Sequence, residues 1–283
     1  MNVKENRAWS FLIVALVYAL ATAVGVAVYL VLPFSVWCNV LLADIAATIV
    51  TFAFSVVFQN ASVYDPYWSV QPIVILTAFA IGYGLNLSGA LTLVVVSLWG
   101  IRLTANWAYT FRNLTAQDWR YTMLKEKTGA LYPFVNFTGI HLVPTLVVYV
   151  CVMPAVEIIV NAPQMTVWAG LCLAVSTFAF SMQGVADVQM HKFRRSGVGG
   201  FIRTGLWKYS RHPNYLGEIL TWWGVGFAAF ALMPQKWWLL VGALLNTCLF
   251  LFVSIPLADG RQSKKEGFAE YKAQTRALFP IKK

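Results

Sequence analysis

The stretch AWSFLIVALVYALATAVGVAVYLVL, residues 8–32, decides the fold class. It contains no charged residue, and a helix needs about 20 apolar residues to cross the hydrocarbon core of a bilayer. The run is too long for the apolar region of a signal peptide, and no small-residue cleavage site with a polar domain behind it follows. Seven more apolar stretches lie downstream, at 36–58, 68–85, 88–110, 139–160, 165–187, 214–233 and 237–257. The third, which begins at Pro66-Tyr67-Trp68, is the shortest. The runs are continuously apolar rather than alternating, which argues against a membrane β-barrel. The expected fold is therefore all-α, a polytopic transmembrane helical bundle of about eight spans, with seven as the alternative. No repeat or linker divides it, so residues 1–283 read as one integral membrane domain.

Composition agrees. Hydrophobic residues make up 59% of the 283 and charged residues only 11%, with a mean hydropathy of +0.65. Ordinary soluble domains are about 45–50% apolar and about 25% charged. Disorder, a nucleic-acid-binding domain and a secreted disulfide scaffold are excluded as classes. Cys38, Cys151, Cys172 and Cys248 lie in or beside apolar runs, none in a CxxC pair or at metal-ligand spacing from a histidine. They read as small buried hydrophobes, and no metal site is expected.

The net charge of +10 is concentrated in four segments. Lys4 and Arg7 at the N-terminus, the loops 111–138 and 188–213, and the tail 258–283 together hold nineteen of the 21 Lys and Arg. With eight spans all four segments fall on one side, and the positive-inside rule places both termini in the cytoplasm. Within the tail, Phe268 and Tyr271 stand three apart in a basic segment near 262–276. That pattern suits a helix lying along the headgroup surface.

Ionisable groups in or at the edges of spans are costly and are candidates for function. Here they are Asp44, Asp65, Arg102, Glu157, Asp187 and Glu218. Gln183, Asp187, His191 and Arg194 are spaced four, four and three apart, which puts them on one helix face running out into a basic loop. That loop continues Gly199-Gly200-Phe-Ile-Arg203-Thr-Gly205-Leu-Trp207-Lys-Tyr209-Ser-Arg211-His212-Pro213-Asn214-Tyr215-Leu-Gly217-Glu218. Its glycines permit close backbone approach, and Arg203, Lys208 and Arg211 are suited to phosphate. Pro213 fits the first turn of the next helix, on which Asn214, Glu218 and Trp222 share a face. Such a combination reads as a site for a nucleotide-like cofactor or for a lipid headgroup. Trp222, Trp223, Trp237 and Trp238 also read as part of an interfacial aromatic belt.

This constellation, with the later run Tyr271-Lys-Ala-Gln-Thr-Arg276-Ala-Leu-Phe-Pro280, resembles the steroid 5-alpha-reductase family and more narrowly its bacterial DUF1295-type branch. The resemblance is strongest over 180–283, which it makes the cofactor-binding part, and weaker over 60–115. It implies an integral membrane enzyme that uses NADPH to reduce the C=C bond of a conjugated enone in a lipophilic, steroid-like substrate. By motif position it implies that Gln183, Asp187, His191, Arg194, Asn214, Tyr215, Glu218 and Tyr271 contact the cofactor, with Arg203, Tyr209 and Arg211 of the loop and Arg102 and Arg112 upstream. Asp65, in Tyr64-Asp65-Pro66-Tyr67, stands where the family has a carboxylate that holds the substrate ketone. The family's partner tyrosine falls at Trp99, so Tyr64, Tyr67 or Tyr109 is expected to take its place.

On this reading the nicotinamide lies toward Asp65, a protonated Asp65 donates to the substrate oxygen, and the partners are a lipophilic small molecule and the bilayer. The resemblance favours a bacterial inner membrane over the endoplasmic reticulum. Two alternatives stay open. The Arg-His-Pro-x-Tyr core also occurs in S-adenosylmethionine-dependent isoprenylcysteine and phospholipid methyltransferases. A non-enzymatic transport or lipid-binding protein is the other, although the repeat symmetry usual in transporters is missing.

Overall fold

A computed structural model describes residues 4–280, and no strand occurs among them. The chain forms two compact units, one built from Met1–Gly82 with Val96–Met153 and the other from Tyr83–Val95 with Pro154–Lys283.

In the first unit, α1 (Arg7–Val31) starts at Asn6, whose side chain accepts from Trp9 N, and α2 (Val36–Phe58) starts at Ser35, which caps Cys38 N. Both caps satisfy an N–H that the helix cannot. The face of α1 that packs inward is small: Ser10, Val14, Val17, Ala21 and Gly25. Its outward face carries Leu12, Leu16, Leu20 and Leu30, all exposed. Small residues inside and large apolar residues outside is the arrangement of helices that pack within lipid. Gln59 closes α2 in the left-handed conformation at φ 54°. A 3₁₀ turn, Ala61–Tyr64, follows, and then α3 (Tyr67–Tyr83), which carries Pro72 within it. Then come α4 (Leu87–Thr110), which belongs to this unit from Val96 on, α5 (Trp119–Thr128), α6 (Tyr132–Val135), a π-helical segment Asn136–Leu142 and α7 (Val143–Asn161), which belongs to it as far as Met153.

In the second unit, α8 (Val167–Arg195) and α9 (Pro213–Leu232) form a close pair. A Cβ on Gly217 would lie 2.6 Å from the Ala179 carbonyl oxygen and 2.7 Å from Gln183 Cβ, so only glycine permits this approach. Ser176 Oγ donates to the Thr221 carbonyl at 2.9 Å across the same contact. A 3₁₀ stretch Pro234–Leu240, α10 (Val241–Leu249), a π-helical segment Phe250–Ser254 and α11 (Ile255–Gln262) make one long run. The short α12 (Phe268–Gln274) ends the unit.

Among the described residues, seven helices are long and apolar enough to cross a membrane, so the chain is an integral, multi-pass protein. The expected eighth, at 68–85, forms α3 but has only 17 residues. It is about 25 Å long, a length set by Pro66 before it and by the turn at Gly84, φ 76°, after it. Two expected loops are also partly helical. Helix begins at Trp119 and continues through Asn161, and α8 continues eight residues beyond 187 to Arg195. The polar stripe thus stays on one helix. The tail helix α12 turns Phe268 onto protein. Phe268 is 3% exposed, with its ring edge-on to Phe201 at 5.2 Å, so its apolar face is covered by protein.

Gly217→Ala should cost about 1–3 kcal/mol, the usual effect of overpacking, and should lower the thermal unfolding temperature in detergent. Gly260→Ala, within α11 where an added Cβ meets nothing within 4 Å, should not lower it and should raise it slightly, since alanine favours the helix.

Candidate functional site

The cofactor candidates of the second unit lie on α8, α9, the loop between them and the C-terminal segment. Gln183, 5% exposed, donates from Nε2 to Glu218 Oε2 at 2.9 Å. Trp222, one turn on along α9, donates from Nε1 to Glu218 Oε1 at 2.9 Å. Trp222 is therefore an inward-facing partner of Glu218 and not part of an interfacial belt, whereas Trp237 and Trp238 are exposed. Two acceptors at this place, Gln183 Oε1 and Asn214 Oδ1, are buried with no hydrogen-bond partner. A buried acceptor left unmade costs about 1–3 kcal/mol, so the pair is suited to a ligand that brings donors. Asp187 and His191 are half-buried farther along α8, and Arg194 is exposed at its end.

The loop is shaped by α8 and closed by the tail. Gly205 takes φ 61°, and a Cβ there would collide with the Gln189 side chain, whose Oε1 accepts from Leu206 N at 2.9 Å. Trp207 Nε1 donates to the Ala186 carbonyl at 3.1 Å. Tyr271 Oη donates to the Trp207 carbonyl. Burial pushes the Tyr271 phenol up to about 12, so it remains a donor at neutral pH. Arg203 lies over the Phe201 ring at 4.5 Å with its side chain otherwise exposed, and Tyr209 is exposed. Tyr215 stacks on His212 with centroids 5.0 Å apart.

Arg211 is not a phosphate ligand in this arrangement. It is 8% exposed. Its Nη2 donates to Asp259 Oδ2 at 2.9 Å and its Nε to Oδ1 at 3.4 Å, while Nη1 donates to the Thr275 carbonyl. His212 Nε2 meets Asp259 Oδ1 at 2.9 Å. The backbone N–H groups of Arg211 and His212 donate to the Arg276 and Ala277 carbonyls, each at 3.0 Å. Asp259 was not singled out in the sequence. It lies 48 residues from Arg211, in the part of the sequence that reads as the basic tail. The exposed cations of the loop and of the end of α8 are Lys192, Arg194, Arg195, Arg203 and Lys208.

In the first unit, Asp65 follows the Ala61–Tyr64 turn. Its carboxyl Oδ1 accepts from Tyr121 Oη at 2.6 Å. The expected partners are engaged elsewhere. Tyr64 Oη pairs with Thr145 Oγ1 at 2.7 Å, and Tyr67 Oη donates to Asp44 Oδ1 at 2.8 Å, because the first turn of α3 directs that ring toward α2. Tyr121 went unnoticed in the sequence because nothing local connects positions 65 and 121. Arg102 is half-buried on α4, Arg112 and Tyr109 are exposed, and Trp99 is 1% exposed in the core. Desolvation raises Asp65 from the ordinary carboxylate range to about 6, against the opposing effect of Arg120.

The chain belongs to the DUF1295 family, described as a protein of unknown function, whose pattern matches residues 51–275. It is 26% identical over 236 residues to an uncharacterized protein of the fission yeast Schizosaccharomyces pombe. That match covers 71% of this chain and 64% of the relative, so the chain spans less than two thirds of the relative's length. No solved structure matches.

Two stability effects follow from these geometries. Asp259→Ala leaves the Arg211 guanidinium buried without its carboxylate and should cost about 3–5 kcal/mol in detergent unfolding. For Asp65 the folded state binds its proton more tightly than the unfolded chain. Its contribution is therefore fully present below the ordinary value of 3.8 and is lost as pH rises through about 6. The span of the shift corresponds to about 3 kcal/mol. Asp65→Asn does not ionise, so its unfolding temperature relative to wild type should be higher at about pH 8 than at about pH 4.5. A pH-independent difference would contradict that burial.

Proposed function

We propose that the chain is an NADPH-dependent membrane oxidoreductase that reduces the C=C bond of a conjugated enone in a lipophilic, steroid-like substrate. The observation that carries this reading is the two partnerless buried acceptors, Gln183 Oε1, whose amide nitrogen is bonded to Glu218, and Asn214 Oδ1, one turn before Glu218 on α9. A nicotinamide carboxamide and ribose hydroxyls bring the donors these atoms lack. Arg194 and Arg203 are exposed and would hold the phosphates, while Tyr271 and the Arg211–Asp259 pair shape the loop rather than touch the ligand. The cofactor when bound supplies the hydride. Asp65 is the acid for the carbonyl oxygen of the substrate, on which negative charge develops, and a carboxyl in an apolar site can stay protonated for that purpose. At about 6 its neutral form prevails only in mildly acidic conditions, so activity should rise as pH falls toward that value. The proposed setting is a bacterial inner membrane, with the basic loop after α8 and the C-terminal tail on its cytoplasmic side.

The test is thermal unfolding of the detergent-purified protein with NADPH, S-adenosylmethionine or neither. NADPH should stabilise the wild type, and Glu218→Gln and Asn214→Ala should each weaken its binding about tenfold or more. Stabilisation by S-adenosylmethionine in place of NADPH would overturn the reading in favour of a methyltransferase. With an enone that is turned over, Asp65→Ala should lose about 10²–10³ in rate, the usual effect of removing one oxyanion donor. Asp65→Asn, which keeps a donor, should lose less.

A further inference from the structure

The surroundings of Asp65 are built by contacts between distant segments rather than by neighbouring sequence. The turn at 60–65 is fastened to the segment 113–121 by side chains of both. Asn60 Nδ2 donates to the carbonyls of Leu114, at 2.7 Å, and Ala116, at 3.2 Å. Ala61 N donates to Gln117 Oε1 at 3.1 Å, and Asp118 N donates to Ser62 Oγ at 2.8 Å. Asp118 then caps α5, accepting from Arg120 N, and also pairs with the Arg120 side chain at 2.8 Å. Tyr121 is consequently held on the first turn of α5 with its ring packed on Ala61 and Ile140 and only 5% exposed. A phenol has one hydrogen to donate, and this one is given to Asp65 Oδ1.

We infer that Tyr121 is the positioning residue of the acid Asp65: by occupying Oδ1 it fixes the carboxyl plane and leaves Oδ2 as the oxygen that takes up and delivers the proton. The inference rests on the reading of Asp65 as the acid for a substrate carbonyl. The role differs from the one expected of Tyr64, Tyr67 or Tyr109, because the hydrogen of Tyr121 is spent on the carboxyl and not on the substrate. A short hydrogen bond also reduces the rotational freedom of a carboxyl that must present a proton in one direction, which is how a supporting residue acts on a reacting one.

The groups facing Asp65 set the direction of the test. Tyr18 of α1, Tyr64 of its own turn, Asp118, and Arg120 and Tyr121 of α5 are its titratable neighbours, with the Ser62 hydroxyl as a further hydrogen-bonding one. Arg120 and the bonds from Tyr121 and Ser62 favour the ionised carboxyl, whereas Asp118 opposes it. Removing the Tyr121 hydroxyl alone deletes one of the favouring bonds, so Asp65 must then hold its proton to higher pH. A residue that only filled space would change stability without moving that titration.

The experiment is an infrared pH titration of the full-length protein. The protonated-carboxyl absorption of Asp65 is identified by its loss in Asp65→Asn. Tyr121→Phe should move its midpoint upward by on the order of one pH unit. Fluorotyrosine at position 121, a stronger donor of unchanged shape, should move it downward, and this arm serves if the phenylalanine variant does not fold. A midpoint unmoved by either change would overturn the inference. The readout does not involve the cofactor. A moved midpoint with no NADPH response would therefore retire the reductase reading and retain the Asp65–Tyr121 pair. With an enone turned over, Tyr121→Phe should also lower the plateau of kcat while moving its pH limb upward, and a lowered plateau with an unmoved limb would count against the inference.

Discussion

The second unit depends on the ion cluster at Asp259. A carboxylate removed from water needs partners that compensate its lost hydration, and Asp259 has Arg211, His212 and, at 3.5 Å, Lys272. These partners come from the loop after α8 and from α12, so one buried charge fastens together segments far apart in sequence. The backbone bonds from Arg211 and His212 to Arg276 and Ala277 extend the same join. Phe201, Phe268 and Tyr271 pack beside it as an aromatic cluster. The basic loop is thereby separated into two populations. Arg211 is consumed inside the fold, while Arg194, Arg203 and Lys208 face outward and can meet an anion. Counting cations along the loop cannot make that separation. Only the position of the opposing carboxylate does.

The rule that a buried polar group needs a partner organises the first unit as well. Asp44 lies within a membrane-length helix and accepts from Tyr67 and Gln71. Thr145 Oγ1 joins Tyr64 and Thr48, at 2.7 and 2.9 Å. His141 Nδ1 meets the Asn136 carbonyl within the π-helical segment. A π-helical turn frees carbonyls from the ordinary ladder and is common where side chains need special placement. The outward faces, by contrast, are large and apolar on nearly every long helix. Polarity is therefore concentrated inside, the reverse of a soluble domain and the arrangement expected where the surroundings offer no hydrogen bonds.

What the sequence made legible follows from the range over which each signal acts. Hydropathy is local, so the long helices were readable within a few residues, and a four-residue spacing placed Gln183, Asp187, His191 and Arg194 on one helix. The count of spans turns on the short α3, because composition does not register how the flanking turns limit its length. In the tail an apolar face predicts burial but not what buries it, and it is Phe201 that covers Phe268. Trp222 was read both as a neighbour of Glu218 and as belt, and its N–H on the carboxylate decides for the former. The contacts that define the candidate sites were the least legible. Arg211 to Asp259 and Asp65 to Tyr121 span 48 and 56 residues, and no periodicity links positions that far apart.

Trp99 shows why a motif transferred position by position fails at this point. A tyrosine there could offer a hydroxyl, whereas a tryptophan that is 1% exposed mainly fills volume in the core. The need for a donor at Asp65 does not vanish with that substitution, because a carboxyl deprived of water remains costly. The need is met from another element. Asn60, Ser62 and Gln117 dock the segment before α5 onto the turn, and the helix that Asp118 caps carries Tyr121 to the carboxyl. Asp118 does two tasks there, ending one loop and orienting Arg120, so the cap that starts α5 also sets the charge around Asp65. A hydroxyl beside Asp65 is thus a property of the segment docked on the turn and not of α3 or α4. The chemistry a site requires constrains which groups must converge, while the fold decides which residues supply them.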